Sequence, residues 1–259
     1  MDTPNGRTAN WLAELRRTPR KMQAIPEALR PQTLTQAYAV QERLVAELGG
    51  ATIGYKTACT SALAREQLQV PHPLFGRLLS SSTYVGPVAL RAEDFTLRTI
   101  EPEFAFHMRV DVPASDVPYT AETIARFVGT ALPGIEIVDH RFEDWSAVGA
   151  PSIAADNAIH GAWVRGAEFA AWRALDLVSH EVTLRVDGQM VRTGTGAAVL
   201  GSPLHALAWL ANELPRFGLQ LKAGEFVTTG VVCDVYPASA GETIRADFGV
   251  LGSVELCFK

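Results

Sequence analysis

From Gly50 onward the chain is written in short β-like runs, separated by Gly, Pro and Asp, that do not alternate regularly with helices. That texture argues against a doubly wound parallel sheet, in which each strand is followed by a crossover helix. The clearest run is "EVTLRVDGQMVRTG": Val182, Leu184 and Val186 alternate, and Asp187-Gly188 suits a tight hairpin turn. "FVTTGVV" and "GSVELCF" read as further strands. Ahead of Gly50 the pattern is helical. "TANWLAELRR" puts Trp11, Leu12 and Leu15 on one face, and "TLTQAYAVQERLVAELGG" spaces Leu34, Tyr38, Gln41, Leu44, Val45 and Leu48 at helical intervals. Thr33 is the expected N-cap of the second helix and Gly49 its stop, while Pro19, Pro26 and Pro31 break the segment between the two. Two later helices are expected. One follows Thr120 in "YTAETIARFVGTAL", and the other is "SPLHALAWLANELPRFG", with Ser202 as cap, Pro203 at the first position and Gly218 beyond the end. The expected fold is α+β: a helical N-terminal region over residues 1–70, packed on a β-rich catalytic domain over residues 71–259 that forms a large, curled sheet system.

Composition excludes several function classes. The net charge is −5, so no basic stripe is available to neutralise nucleic-acid phosphates. Arg16, Arg17, Arg20 and Lys21 lie beside Glu14 and read as a solvated helix end. Cys59, Cys233 and Cys257 have no C-x-x-C spacing, which argues against a disulfide framework or structural zinc and fits a reduced, cytoplasmic setting. "MDTPNGRTANW" lacks the apolar core of a signal peptide, and no run approaches 18 uncharged apolar residues, so no membrane partner is expected.

The stretch that points to chemistry is "TIEPEFAF", residues 99–106. Glu101 and Glu103 sit two apart in an otherwise apolar run. On a strand they share a face, with Cα atoms roughly 6.5 Å apart. Paired carboxylates repel unless one is protonated or a cation lies between them. Pro102 has no N–H, which places this point at a strand edge, a strand start or a bulge. A third acid, Glu136, is flanked by Ile135 and Ile137 in a strand-like setting. Taken singly, each of the three reads as a surface charge. Together, three carboxylates and no cysteine suit a hard cation, Mg²⁺ ahead of Mn²⁺.

Lys56 is the only charged residue between Gly49 and Ala64. Partial desolvation would lower its pKa and suit it to proton transfer; the alternative is a lysine reaching out from a strand edge. His160, in "AADNAIHGAW", and the other histidines (His72, His107, His140, His180, His205) form no H-x-x-x-H pair and read first as structural residues. Asp156 and Asn157 suit either a turn cap or a ligand contact. "GTGAAVLG" has Val199 where a dinucleotide fingerprint needs its third glycine, and it follows a hairpin.

Eight segments in order resemble the fumarylacetoacetate hydrolase superfamily: "IGYKTACTS", "FGRLL", "EPEFAF", "GIEIVDHRFEDW", "ADNAIHGAWVRG", "GTGAAVLGSPLHALAWLANEL", "LKAGEFVTTG" and "GETIRADFGVLGSVELCF". The branch they look most like holds the 2-keto-4-pentenoate (2-hydroxypenta-2,4-dienoate) hydratases and the 4-oxalocrotonate decarboxylases. The resemblance implies a curled mixed β-sandwich or roll of the family's C-terminal type, with a helical N-terminal layer. It implies a divalent metal held by Glu101, Glu103 and Glu136, and a small 2-oxo or 2-hydroxy acid substrate from aromatic-compound catabolism. Lys56 falls on the family's general-acid lysine, Thr229 and Gly230 fall where the family contacts the substrate carboxylate, and Leu74 and Phe75 fall in its substrate-binding "FG" segment. The chain departs from the hydratase pattern at Leu74, where those enzymes carry an aspartate and the decarboxylases an apolar residue. It departs again at His160, where the family usually has serine; a histidine there suits acid–base catalysis near neutral pH. The readings that result are a hydratase, a decarboxylase of a vinylogous 2-oxo diacid, a C–C hydrolase of an acylpyruvate and, in another class, a non-catalytic partner subunit. The family also implies a homo-oligomer and, for some members, a complex with a pathway enzyme.

Overall fold

The computed structural model describes residues 3–18 and 20–259. Pro19, one of the three prolines expected to separate the first helices, lies outside the described residues. The chain opens with α1 (Pro4–Arg17) and α2 (Leu34–Leu48). The hydroxyls of Thr3 and Thr33 cap them by accepting from the amides of Gly6 and Gln36. Gly49 ends α2 at φ +73, a conformation that favours glycine. Then follow β1 (Thr52–Ala58), α3 (Ala62–Leu68), β2 (Leu74–Leu79), β3 (Thr83–Val85), β4 (Val88–Leu90), β5 (Thr99–Met108), α4 (Ala121–Ile124) and β6 (Val128–Val138). The second half comprises α5 (Ala150–Ala155), β7 (His160–Arg165), β8 (Glu181–Val186), β9 (Gln189–Thr195), α6 (Pro203–Glu213), β10 (Phe226–Val231), β11 (Tyr236–Pro237), β12 (Thr243–Asp247) and β13 (Ser253–Phe258).

The strands form two mixed sheets. One has eight strands in the order β2-β1-β10-β5-β6-β7-β3, with β11 also paired to β5; the other has the order β4-β13-β12-β8-β9. This is the expected α+β architecture. β1 lies within the first 70 residues, yet it is bonded between β2 and β10, so the sheet begins inside the segment assigned to the helical region. The larger sheet is curled. Leu78 on β2 and Trp163 on β7 share one apolar cluster with Ala105 and Leu132, although β2 and β7 are five places apart in the sheet. At about 4.8 Å per strand a flat sheet would hold them roughly 24 Å apart, so the sheet must wrap toward that face. Its outer face carries the main core. There Phe104 meets Phe248 edge-to-face at 5.1 Å, joining β5 to the smaller sheet. Tyr38 of α2 stacks on Phe75 at 4.0 Å, and Gln41 donates to the carbonyls of Phe75 and Ala154, seating the helical layer on β2 and α5. No helix among the described residues is long and apolar enough to cross a membrane.

The hairpin β8–β9 turns at Asp187 and Gly188, at φ +49 and +81, as the alternation predicts. The Ser202 cap of α6 and the left-handed Gly218 beyond it also match expectation. Two expectations are sharpened. The helix after Thr120 is short, α4 with a Thr120–Thr123 capping box and a 3-10 continuation over Ala125–Phe127, because Val128 already begins the long central strand β6. Of the three settings expected for Pro102, the structure shows the bulge: it lies inside β5, which is flanked on both sides, beside an irregularity in the pairing with β10. The amide of Val232 donates to the Pro102 carbonyl, so the missing N–H faces the β10 side. There the pairing shifts register between Thr228 and Val231, and no ladder bond is lost.

Candidate active site

Residues directly opposite each other on neighbouring strands share a face. Glu101 on β5 stands opposite Glu136 on β6, and Glu103 stands one strand step further along the same face. Their carboxylate oxygens lie within 4.8 Å of one another. On β1, Lys56 is fully buried, its Nζ 3.0 Å from Oε1 of Glu136 and donating to the Ala158 carbonyl at 3.1 Å. Nδ1 of His160 lies 2.9 Å from the same Oε1. The Gly230 amide donates to Oε2 of Glu103 at 2.8 Å. Gly230 sits at φ +102, and a Cβ there would lie 2.0 Å from the Thr60 hydroxyl, so only glycine fits.

One lysine cannot balance three carboxylates, two of them buried and that of Glu101 half-buried. Burial and the neighbouring Glu136 push the Glu101 carboxyl up to about 7. Burial and the other two acids push Glu103 well above the usual carboxylate range. Burial works to raise Glu136 as well, but Lys56 and His160 outweigh it and hold this group down at about 2. Oε1 of Glu103 and Oε2 of Glu136 are buried with no hydrogen-bond partner among the described residues. Unpaired buried charge is costly, and this set offers only oxygen donors. A hard divalent cation fits it. The lysine departs from expectation. Burial alone would lower its pKa, but Glu136, then Glu101 and Glu103, outweigh burial and hold it above its ordinary value.

The segment after α5 completes the site. Asn157, Ala158 and Ile159 are all left-handed, at φ +52, +48 and +56. Such a run in non-glycine residues costs on the order of 1–3 kcal/mol per residue and needs outside support. The Asn157 side chain supplies part of it, accepting from the Arg77 amide at 2.7 Å and donating to the Arg77 carbonyl at 3.0 Å. A Cβ on Gly76 would lie 2.6 Å from the Asn157 carbonyl, so glycine is what lets the turn close on β2. Arg16 supplies the rest: Nε meets Oδ1 of Asp156 at 2.6 Å, and the other nitrogens donate to the Asp156 and His160 carbonyls. Arg16, expected in a solvated helix end, is instead buried in this clamp. The turn presents the Ala158 carbonyl to Lys56 and starts β7 with His160 against Glu136.

A cavity of about 230 Å³ opens over this group, with Lys56, Glu101 and Gly230 in its wall. Other expected residues lie elsewhere. Phe75 is on the opposite face of β2, stacked on Tyr38. Leu74 stands opposite Ala58, buried behind the wall rather than in it. Asp156 is held by Arg16, and the Thr229 hydroxyl donates to the Phe104 carbonyl, away from the cavity. His160 reaches the acids, but it lines a separate cavity of about 200 Å³ with Arg16, Arg141 and Asn157. Burial lowers its pKa against the pull of Glu136. Wall residues that sequence reasoning did not single out include Thr60, Trp145, Ile153 and Val235. Trp145 ends the "GIEIVDHRFEDW" segment, whose continuation beyond Glu136 was the available signal.

Comparison with known proteins places the chain. Residues 55–259 match the fumarylacetoacetate (FAA) hydrolase C-terminal family. The chain is 33% identical to a 2-keto-4-pentenoate hydratase from Paraburkholderia phymatum, over 98% of each protein. It is 32% identical to a 2-hydroxyhexa-2,4-dienoate hydratase from Comamonas testosteroni, over 95% of this chain and 94% of that protein. Its fold matches 4-oxalocrotonate decarboxylase from Pseudomonas putida G7, complexed with magnesium and adipate, at a TM-score of 0.90 and 25% identity, covering 98% of this chain and 96% of that one. The chain belongs to the fumarylacetoacetate hydrolase family.

Proposed function

We propose that this chain is a divalent-metal-dependent hydro-lyase that adds water to 2-hydroxypenta-2,4-dienoate and closely related 2-hydroxydienoic acids. The observation that carries this reading is the convergence of Glu101, Glu103 and Glu136, with unpartnered oxygens, beside the buried Lys56. The resemblance to hydratases over nearly the whole chain supports the choice of reaction. Glu101, Glu103 and Glu136 would hold Mg²⁺, or Mn²⁺, which supplies a Lewis acid for the 2-oxo acid head of the substrate.

The residues of the chain do the rest. Lys56 keeps a proton at Nζ, fixed between Oε1 of Glu136 and the Ala158 carbonyl, at the cavity floor. In ketonisation the 2-hydroxyl proton is lost and C5 gains one, with Lys56 as the carrier. Water then adds across the resulting enone, hydroxide at C4 and a proton at C3. His160 anchors Glu136 from behind, so that the carboxylate faces Lys56.

Decarboxylation of a 2-oxo diacid at the same centre is the second reading. It is favoured by Leu74, which leaves no carboxylate at the position where hydratases carry aspartate. A panel of 2-hydroxypenta-2,4-dienoate, 4-oxalocrotonate and an acylpyruvate, each with Mg²⁺ or chelator, separates the readings. Mg²⁺-dependent loss of the dienoate chromophore is expected; turnover of the diacid alone, with CO₂ release, would reject hydration.

A further inference from the structure

The strand register orders the cavity outward from the acids. Beyond the Glu101–Glu136 pair the next pair on the same face is Thr99 and Val138. Trp145, Ile153, Ile159 and Val235 continue the wall, Thr60 and Ser61 add hydroxyls to it, and Val231 stands opposite Glu103 at the acidic end. No arginine lines it among the described residues, and Lys56, already paired with Glu136, is its only lysine. The nearest guanidinium from the adjoining helix α3, that of Arg65, is spent on the carbonyls of Cys59 and Thr60. His140 is the one imidazole in the wall, and burial followed by the charge of Lys21 lowers its pKa, which favours the neutral ring.

We propose that the far end of the substrate is an uncharged hydrocarbon, so that the chain selects 2-hydroxydienoic monoacids with alkyl or aryl tails over the corresponding diacids. This rests on the dienoate reading above. A second carboxylate carried past Val138 would be desolvated against Ile153 and Trp145 with no cation to meet it, an arrangement that discriminates strongly. The head and the tail of the substrate share a cavity of about 230 Å³.

Two measurements on the full chain with Mg²⁺ test the proposal. In the first, kcat/KM is compared for 2-hydroxydienoates carrying hydrogen, methyl, phenyl or carboxylate at C5. The methyl and phenyl compounds are expected to match or exceed the parent, and the carboxylate to fall at least tenfold below it; equal or faster turnover of the carboxylate overturns the proposal. The second needs no turnover: calorimetric binding of 2-oxohexanoate against 2-oxoadipate. The monoacid is expected to bind at least tenfold tighter. If neither dienoate nor diacid is turned over but the monoacid preference holds, the hydratase reading fails and the wall assignment stands. Equal binding, or no binding of either acid, overturns the assignment. Val235 is 42% exposed at the rim, so Val235→Arg is a tolerable change. It is expected to erase most of the preference by giving the second carboxylate a partner; an unchanged ratio counts against the proposal.

Discussion

The inner face of the curled sheet has two ends built from the same strands, and they have opposite characters. At one end Leu78, Ala105, Leu132, Trp163 and, at the margin, Phe226 close into an apolar plug. At the other, Lys56, Glu103 and Glu136 are buried and Glu101 is half-buried, around unpaired oxygens. Ala105 is only two positions from Glu103 along β5, and Leu132 four positions from Glu136 along β6. The backbone is common to both ends, so the difference lies in the side chains. The plug is held by apolar contact, with the indole Nε1 of Trp163 its one unpartnered buried side-chain polar atom among the described residues, whereas the acidic end gathers carboxylates that are unsatisfied without a ligand.

Substitution at each end separates those roles. The largest effect is expected from Glu103→Gln: turnover falls by at least about 10²-fold and Mg²⁺ affinity drops, because a ligand oxygen is replaced by an amide. In chelator the same variant is expected to melt no lower than the parent, since it removes a buried carboxyl whose ionisation nothing balances. Calorimetric Mg²⁺ titration and thermal melts read both, and full activity in chelator would contradict the assignment. Leu132→Ala is the mirror experiment. It should cost about 2–5 kcal/mol in urea unfolding, with Mg²⁺ affinity close to that of the parent. A large loss of metal binding there would mean that the two ends are not separable.

Asn157→Ala lies between the two. It removes both bonds to the Arg77 backbone and leaves a left-handed run without its brace. Stability is expected to fall by about 1–3 kcal/mol and kcat by roughly tenfold with little change in KM, as Lys56 loses its fixed carbonyl. Wild-type kcat in a destabilised variant would show that the turn is structural only.

The smallest effect is a matter of pH. Glu101, pushed up to about 7, and Glu103 bind protons more tightly folded than unfolded. Metal-free stability therefore declines as pH rises from the ordinary carboxylate range through about 7. The metal-bound protein needs both groups ionised. The gain in Tm on adding Mg²⁺ should grow from about pH 5 to about pH 8; a flat gain across that window would contradict the carboxylate assignment.

Much of the fold was legible where the signal is local. The Asp187-Gly188 turn, the Thr33 and Ser202 caps and the period-two pairing of Glu101 with Glu103 each follow from a few neighbouring residues. What stayed hidden depends on parity and distance. Thr229 and Gly230 are adjacent, but the register shift at β10 sends one to the Phe104 carbonyl and the other to Glu103. Leu74 and Phe75 split between the two faces of β2 by the ordinary alternation of a strand. Arg16 is 140 residues from Asp156, and no local pattern announces that clamp. Nor does one announce a left-handed run at Asn157, which only the tertiary contacts with Arg77 and Gly76 make tenable.

The most direct test of the account is a crystal structure grown with Mg²⁺ and oxalate, a two-carbon mimic of the substrate head. The account predicts one ion bonded to oxygens of Glu101, Glu103 and Glu136, with oxalate chelating its open side and facing Lys56. An ion bound elsewhere, or these carboxylates turned apart with the oxalate not on the metal, would contradict it.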